Sequence, residues 1–160
     1  MAPTRPRVYL ETTIPSYLAA WPSRDLVMAA HQQTTREWWD SRRQDFDLFV
    51  SQFVIDEASA GDADAAGRRL EALADVPLLD PTEDAYVLAH ELMRRVPLPA
   101  KAGADSLHIA IATVNGMDYL LTWNCTHIAN AALRSSIETV CRDCGYQPPV
   151  ICTPEELLKE

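Results

Sequence analysis

Five short apolar runs, separated by segments of helical spacing, constrain this chain more than any other feature. They are Val8-Tyr9-Leu10, Leu48-Phe49-Val50, Pro77-Leu78-Leu79-Asp80, Tyr119-Leu120-Leu121-Thr122 and Val150-Ile151-Cys152. None shows the apolar–polar alternation of a strand with one wet face. Strands that are apolar on both faces belong to a parallel sheet covered by helices on two sides. The segments between them read as those helices: one opened by Thr12-Thr13 with Ile14-Pro15, then Asp25 to Arg43, Gln52 to Ala60, Ala63 to Ala74, Glu83 to Arg95, 102–115 and Ile128 to Arg142. Thr153-Pro154 opens a short terminal helix.

The chain has 160 residues, 48% of them hydrophobic. That fits a single domain over 1–160 with one sizeable core, residues 1–6 being read as a disordered lead. No internal repeat and no long linker divides it. The polar start (Met1 to Arg7) carries no secretory signal, and no apolar run approaches the ~20 residues that span a bilayer. The expected compartment is therefore the cytoplasm, with Cys125, Cys141, Cys144 and Cys152 reduced and no membrane partner. The net charge of -9 suits carboxylates gathered for a metal, or a basic partner, better than broad neutralisation of duplex phosphates. Solvated helix faces account for such an excess equally well.

In a parallel sheet ligands bind beyond the carboxyl ends of the strands. The residues there are Glu11, Ser51, Asp80 and the pair Trp123-Asn124. The five glycines, at 61, 67, 103, 116 and 145, build neither a dinucleotide fingerprint nor a P-loop. There is no nucleophile elbow. An aspartyl-phosphate phosphatase would want Asp where Glu11 and Thr13 stand.

Carboxylates remain. Glu11 stands where the first strand hands over to the first helix, a place where a surface acid is also favoured by the helix dipole. Asp105 lies in the first turn of a largely apolar helix, where it either caps the helix or holds a cation. His108 follows one turn later, placed to orient Asp105, to reach substrate, or to serve as a structural histidine. On the helix after the second strand Asp56 and Glu57 are adjacent, and Val54 and Ala58 leave the choice between them open. Oxygen ligands of this kind suit a hard divalent cation, and such a site acts on phosphodiesters.

Together, Val8-Tyr9-Leu10-Glu11-Thr12-Thr13, Glu57, Ala104-Asp105-Ser106-Leu107-His108-Ile109-Ala110 and Leu120-Leu121-Thr122-Trp123-Asn124 resemble the PIN-domain family. The likeness is greatest to the toxin ribonucleases of VapBC-type toxin–antitoxin pairs, and it spans nearly the whole chain. It implies a three-layer α/β/α sandwich with a central, mostly parallel five-stranded sheet. It further implies a Mg²⁺- or Mn²⁺-dependent endoribonuclease acting on RNA, a cognate antitoxin, and a homodimer. By the same resemblance Glu11, Glu57 and Asp105 hold the first three acidic positions and bind the metal. Asn124 fills the fourth, and Thr12 and Thr122 supply hydroxyls. Two departures stand out: the first position carries Glu where the family usually has Asp, and Asn124 offers a carbonyl oxygen but no charge. His127 and Asp118 lie close by in sequence, with nothing to choose between them.

Two further features have a functional and a bland reading. Cys141-x-x-Cys144, with Cys125, His127 and Cys152, can make a zinc site, or the thiols simply pack. Trp38-Trp39 can stack on bases, or serve the core or a partner contact. Two functional alternatives also stand: a non-catalytic PIN-like module that binds RNA or protein, and a phosphoesterase acting on DNA or a nucleotide.

Overall fold

A computed structural model describes residues 4–158. Residues 1–3 of the expected lead lie outside the described residues, while Pro6 already joins the sheet, its carbonyl accepting the Asp47 N–H at 2.9 Å. The strands are β1 (Arg7–Leu10), β2 (Asp47–Ser51), β3 (Leu78–Leu79), β4 (Tyr119–Leu121) and β5 (Val150–Cys152). The helices are α1 (Thr13–Ala19), α2 (Leu26–Ser41), α3 (Gln52–Ala58), α4 (Ala63–Ala72), α5 (Glu83–Arg95), α6 (Gly103–Val114), α7 (Ala131–Asp143) and α8 (Pro154–Leu158).

The five strands form one sheet in the order β3-β2-β1-β4-β5, and every pair in it is parallel. Central β1 pairs Tyr9 with Phe49 on one side and Leu10 with Leu121 on the other. Val8, Tyr9 and Leu10 are all fully buried, as a strand covered on both faces must be. Helix α5 packs on α6 and α7, whereas α1 packs on α2 and α4, and α2 on α8. The result is the expected three-layer α/β/α sandwich.

The strand order reverses between β1 and β4: the chain steps outward through β2 and β3, then returns to the other side of β1. Such a switch point opens a crevice at the carboxyl ends of the two strands. Glu11 and Thr122 are the first residues past those ends. Their backbones continue the ladder, Glu11 N–H to the Leu121 carbonyl and Thr122 N–H to the Cys152 carbonyl, both at 3.0 Å.

Element ends moved for local reasons. Asp25 does not belong to α2 but caps it, accepting the Met28 N–H at 2.9 Å. The end of that run, expected to stay helical to Arg43, passes into a 3-10 turn over Arg43–Asp45. The helix expected from Ile128 starts only at Ala131. Its N-cap is Asn130, and residues 124–129 are organised instead around Asn124. The third strand shrinks to two residues, with Pro77 joining the ladder only through its carbonyl, which accepts the Val50 N–H at 3.0 Å, because it has no N–H to give. In α6 the buried residues run from Ser106 to Thr113 apart from half-buried Leu107, and Ala104 is exposed.

Candidate active site

Glu11 is 5% exposed, and its Oε1 is a shared acceptor. Thr122 Oγ1 donates to it at 2.7 Å, the Thr13 N–H at 3.2 Å, and Thr13 Oγ1 as well. No donor among the described residues reaches its Oε2. The carboxylate is thus oriented by strand-end hydroxyls with one oxygen left over.

Of the adjacent acids on α3, Glu57 faces the crevice. Its Oε1 accepts from Thr12 Oγ1 and from His108 Nε2 at 2.6 Å, and its Oε2 has no donor among the described residues. Asp56 is exposed and accepts from Gln52 one turn earlier. Burial acts to raise the Glu57 carboxyl, but the contacts with His108 and Thr12 outweigh it and hold it below the usual carboxylate value.

His108 therefore does not orient Asp105, the first of the roles its spacing suggested. It is 1% exposed and belongs to a buried relay. Its Nδ1 lies 2.7 Å from Tyr9 Oη, which in turn lies 2.8 Å from Ser51 Oγ. With Glu57 ionised, the donors run one way: Ser51 hydroxyl to Tyr9, Tyr9 hydroxyl to His108 Nδ1, His108 Nε2–H to Glu57. Ser51 Oγ also accepts the Val54 N–H, capping α3. Burial, opposed by the Ser51 hydrogen bond and aided by Glu11 and Glu57, pushes the Tyr9 phenol far above its ordinary value. The phenol therefore stays a donor.

Asp105, half-buried at the start of α6, is held on both oxygens. Asn124 Nδ2 donates to Oδ1 at 2.8 Å, and His127 Nδ1 lies 2.7 Å from Oδ2. His127 is thus the histidine that orients Asp105, while Asp118 sits at the other end of the sheet on the Arg7 N–H at 2.8 Å. The Asn124 carbonyl oxygen, expected to be free for a ligand, is occupied by the N–H groups of Thr126 and His127. Its own N–H donates to Thr122 Oγ1 at 2.9 Å. Asp80 is exposed and lies outside this network.

One hydrogen-bonded path thus joins most of the set: Glu11 to Thr122, Thr122 to Asn124, Asn124 to Asp105, Asp105 to His127. Glu57 enters through Thr12, the neighbour of Glu11's partner Thr13. The three carboxylates do not meet as a cage: among the described residues no group of three or more His, Cys, Asp and Glu side chains is placed to hold a metal ion. The donor chemistry nonetheless fits a hard cation. Mg²⁺ keeps several waters and takes one or two carboxylates plus substrate phosphate. The Oε2 atoms of Glu11 and Glu57 are two carboxylate oxygens without donors among the described residues.

The remaining candidates resolve simply. Cys141 and Cys152 are buried and Cys125 and Cys144 exposed, all as free thiols. Trp38 is fully buried against Phe46, and the Arg43 guanidinium lies over Trp39. The aromatic rings beside the carboxylates are Trp123, placed by the sequence just past a strand end, and Tyr17 and His31, which no spacing in the sequence singled out.

No family model and no curated protein matches this sequence. Solved structures do match its fold. VapC20 of Mycobacterium tuberculosis, a sarcin-ricin loop cleaving toxin, aligns with a TM-score of 0.58 at 16% identity, over 75% of this chain and 92% of that one. VapBC2 from Rickettsia felis, bound to a DNA fragment from their promoter, aligns with a TM-score of 0.58 at 11% identity, over 92% of this chain and 98% of that one. What is shared at these identities is the fold: the chain has the PIN-like architecture of VapC proteins.

Proposed function

We propose that the chain is a metal-dependent endoribonuclease of the VapC-like PIN type, the toxin of a toxin–antitoxin pair. One observation carries the reading. Carboxylates from the end of β1 and the start of α6 are joined by hydrogen bonds through Thr122 and Asn124, and the α3 carboxylate is held beside them by Thr12, at the switch point of a PIN-like sheet. The similarity to a sarcin-ricin loop cleaving toxin supports RNA as substrate.

Glu11, Glu57 and Asp105 are the residues that would hold Mg²⁺ or Mn²⁺. A cation bound there supplies charge stabilisation for the phosphodiester and makes water a better nucleophile. Thr13 and Thr122 fix the Glu11 carboxylate, and Thr12 with His108 fixes Glu57, so little reorganisation is left for the moment of reaction. Asn124 and His127 set the rotamer of Asp105.

The partner reading has its own support. Trp21, Leu26, Val27 and Met28 expose apolar surface, at 72%, 86%, 66% and 43% respectively, around the turn into α2. Together with the net charge of -9 they suit a basic, amphipathic antitoxin segment. A homodimer and a cytoplasmic location belong to the same reading. Among the described residues no helix is long and apolar enough to cross a membrane.

A second reading has a specific observation in its favour. Both oxygens of Asp105 and the carbonyl of Asn124 already have protein partners, as they would in a non-catalytic RNA- or protein-binding module. One experiment separates the two: cleavage of a single-stranded RNA panel with Mn²⁺ or Mg²⁺, with EDTA, and with Asp105→Asn. Metal-dependent cleavage that falls at least ~100-fold in Asp105→Asn is expected, in line with the loss of an electrostatic catalytic group. RNA binding without any metal-dependent cleavage would put the binding module first. Cleavage confined to DNA or nucleotides in the same panel would replace RNA as the substrate.

A further inference from the structure

Three aromatic side chains from different elements meet beside the carboxylate network. His31 of α2 stacks on Trp123, with ring centroids 4.0 Å apart and planes 13° apart. Tyr17 of α1 lies nearly parallel to both, 6.2 Å from Trp123 and 6.4 Å from His31, at 17° in each case. Trp123 is 8% exposed and cannot move freely. Its indole N–H donates to Thr35 Oγ1 at 2.7 Å, and its backbone N–H donates to Thr13 Oγ1 at 2.9 Å. That same Thr13 hydroxyl donates to Glu11. The rings are thus held in a set position relative to the carboxylate.

Two of the three rings remain half-open to solvent, Tyr17 and His31. Neither the Tyr17 hydroxyl nor a His31 ring nitrogen has a hydrogen-bond partner among the described residues. Polar tips with an internal role would be paired. The Tyr17 phenol also lies within the influence of Glu11: burial, the Cys125 thiol and the Glu11 carboxylate together raise it above its ordinary value. A rigid aromatic surface with free polar edges beside a phosphodiester-cleaving centre has the chemistry of a platform for an unpaired base. It needs no positive charge, which suits an acidic chain.

We infer that Tyr17 and His31, backed by Trp123, form a stacking subsite for one unpaired nucleobase next to the bond that is cut. This rests on the ribonuclease reading and names how its substrate is gripped. The subsite selects single-stranded RNA, because a base must leave its helix to lie on the rings. Trp38 and Trp39 do not compete for the role, since one is fully buried and the other lies under Arg43.

The test uses the full chain with two single-stranded RNA substrates, identical except for one abasic residue walked along the second. Tyr17→Leu and His31→Ala are compared with Tyr17→Phe, which keeps the ring. On intact RNA, Tyr17→Leu and His31→Ala should each raise KM by ~5–10-fold with kcat within about twofold, the lower end of what one base–aromatic stack contributes. Tyr17→Phe, which keeps the ring and loses only its polar edge, should raise KM by less than Tyr17→Leu does. With the abasic residue at the stacked position, wild type and Tyr17→Leu should become equal. An unchanged KM in Tyr17→Leu and His31→Ala, or the same loss on intact and abasic RNA, would overturn the subsite. Should either variant fold poorly, the abasic walk on wild type decides alone: no position sensitive to base removal means no subsite. The same comparison read as Kd by anisotropy in EDTA needs no cleavage. An absence of cleavage with the Kd difference intact therefore counts against the nuclease reading and leaves the stacking subsite standing.

Discussion

Tyr9 shows how one residue can serve core and site together. Its ring is fully buried in β1, and its hydroxyl is the middle of the Ser51–Tyr9–His108–Glu57 relay. Tyr9→Phe keeps the ring and strands two buried partners, the Ser51 hydroxyl and His108 Nδ1. Each unmet buried group costs about 1–3 kcal/mol, so with two of them urea denaturation should show a loss of about 2–6 kcal/mol with an unchanged slope. A loss under ~0.5 kcal/mol would mean that the relay does not contribute to stability. Cys152 makes a second point about buried protons. Burial pushes its thiol up to about 12, and burial raises Cys141 in the same direction. The unfolded chain releases those protons from its ordinary thiol value upward, while the folded chain keeps them. The stability they lend is thus complete below about pH 8.5 and is lost as the pH rises toward the folded value, at up to ~1.4 kcal/mol per group per pH unit. Unfolding measured between pH 8 and 11 should steepen with pH, and Cys152→Ala should flatten the trend. At this scale sequence told part of the story. Val54 and Ala58 left Glu57 and Asp56 unseparated as read from the sequence, although helical phase carries a signal: at about 100° per residue Glu57 lies within ~100° of both apolar residues, whereas Asp56 lies ~160° from each. The pairing of His108 with Glu57 was not selectable, because the two are 51 positions apart and only the fold joins them.

At the scale of elements, a few short polar side chains decide where helices begin. Asn124 gathers the Thr126 and His127 N–H groups, and its backbone carbonyl takes those of Ile128 and Ala129. Asn130 then caps α7 by accepting the Ala132 N–H at 2.9 Å. Asn130→Ala should cost about 1 kcal/mol, read by thermal or urea denaturation, with RNA cleavage per folded molecule unchanged. Asn124→Ala should cost more and should also reduce cleavage, because it frees Asp105 on one side and loosens the turn that carries His127. Equal effects of the two variants would show that the 124–129 turn contributes nothing beyond capping. The apolar runs made the five strands legible in the sequence, since continuous burial leaves a compositional mark. The turn after β4 left none. Its apolar Ile128 fits a helical period, and the competing hydrogen bonds of an Asn are visible only once a partner backbone is in place.

For the molecule as a whole, the strand order puts Glu11 and Thr122 side by side at the single point where that order reverses across the all-parallel sheet, and the helices α3 and α6 bring Glu57 and Asp105. The site therefore lies where the topology opens a crevice, but in a chain of net charge -9. An acidic molecule that binds RNA gains little from releasing counterions, so its grip must be local: a cation between carboxylates and phosphate, and rings under a base. That has a measurable consequence. Each phosphate neutralised by a protein cation adds about -0.7 to the slope of log K against log salt for single strands. With two or fewer such contacts, raising salt from 50 to 200 mM should weaken single-stranded RNA binding by less than ~10-fold. A slope steeper than about -3 would require four or more basic contacts. Binding of that kind would have to come from a partner or from a surface other than the crevice, and the stacking grip would then be secondary to charge.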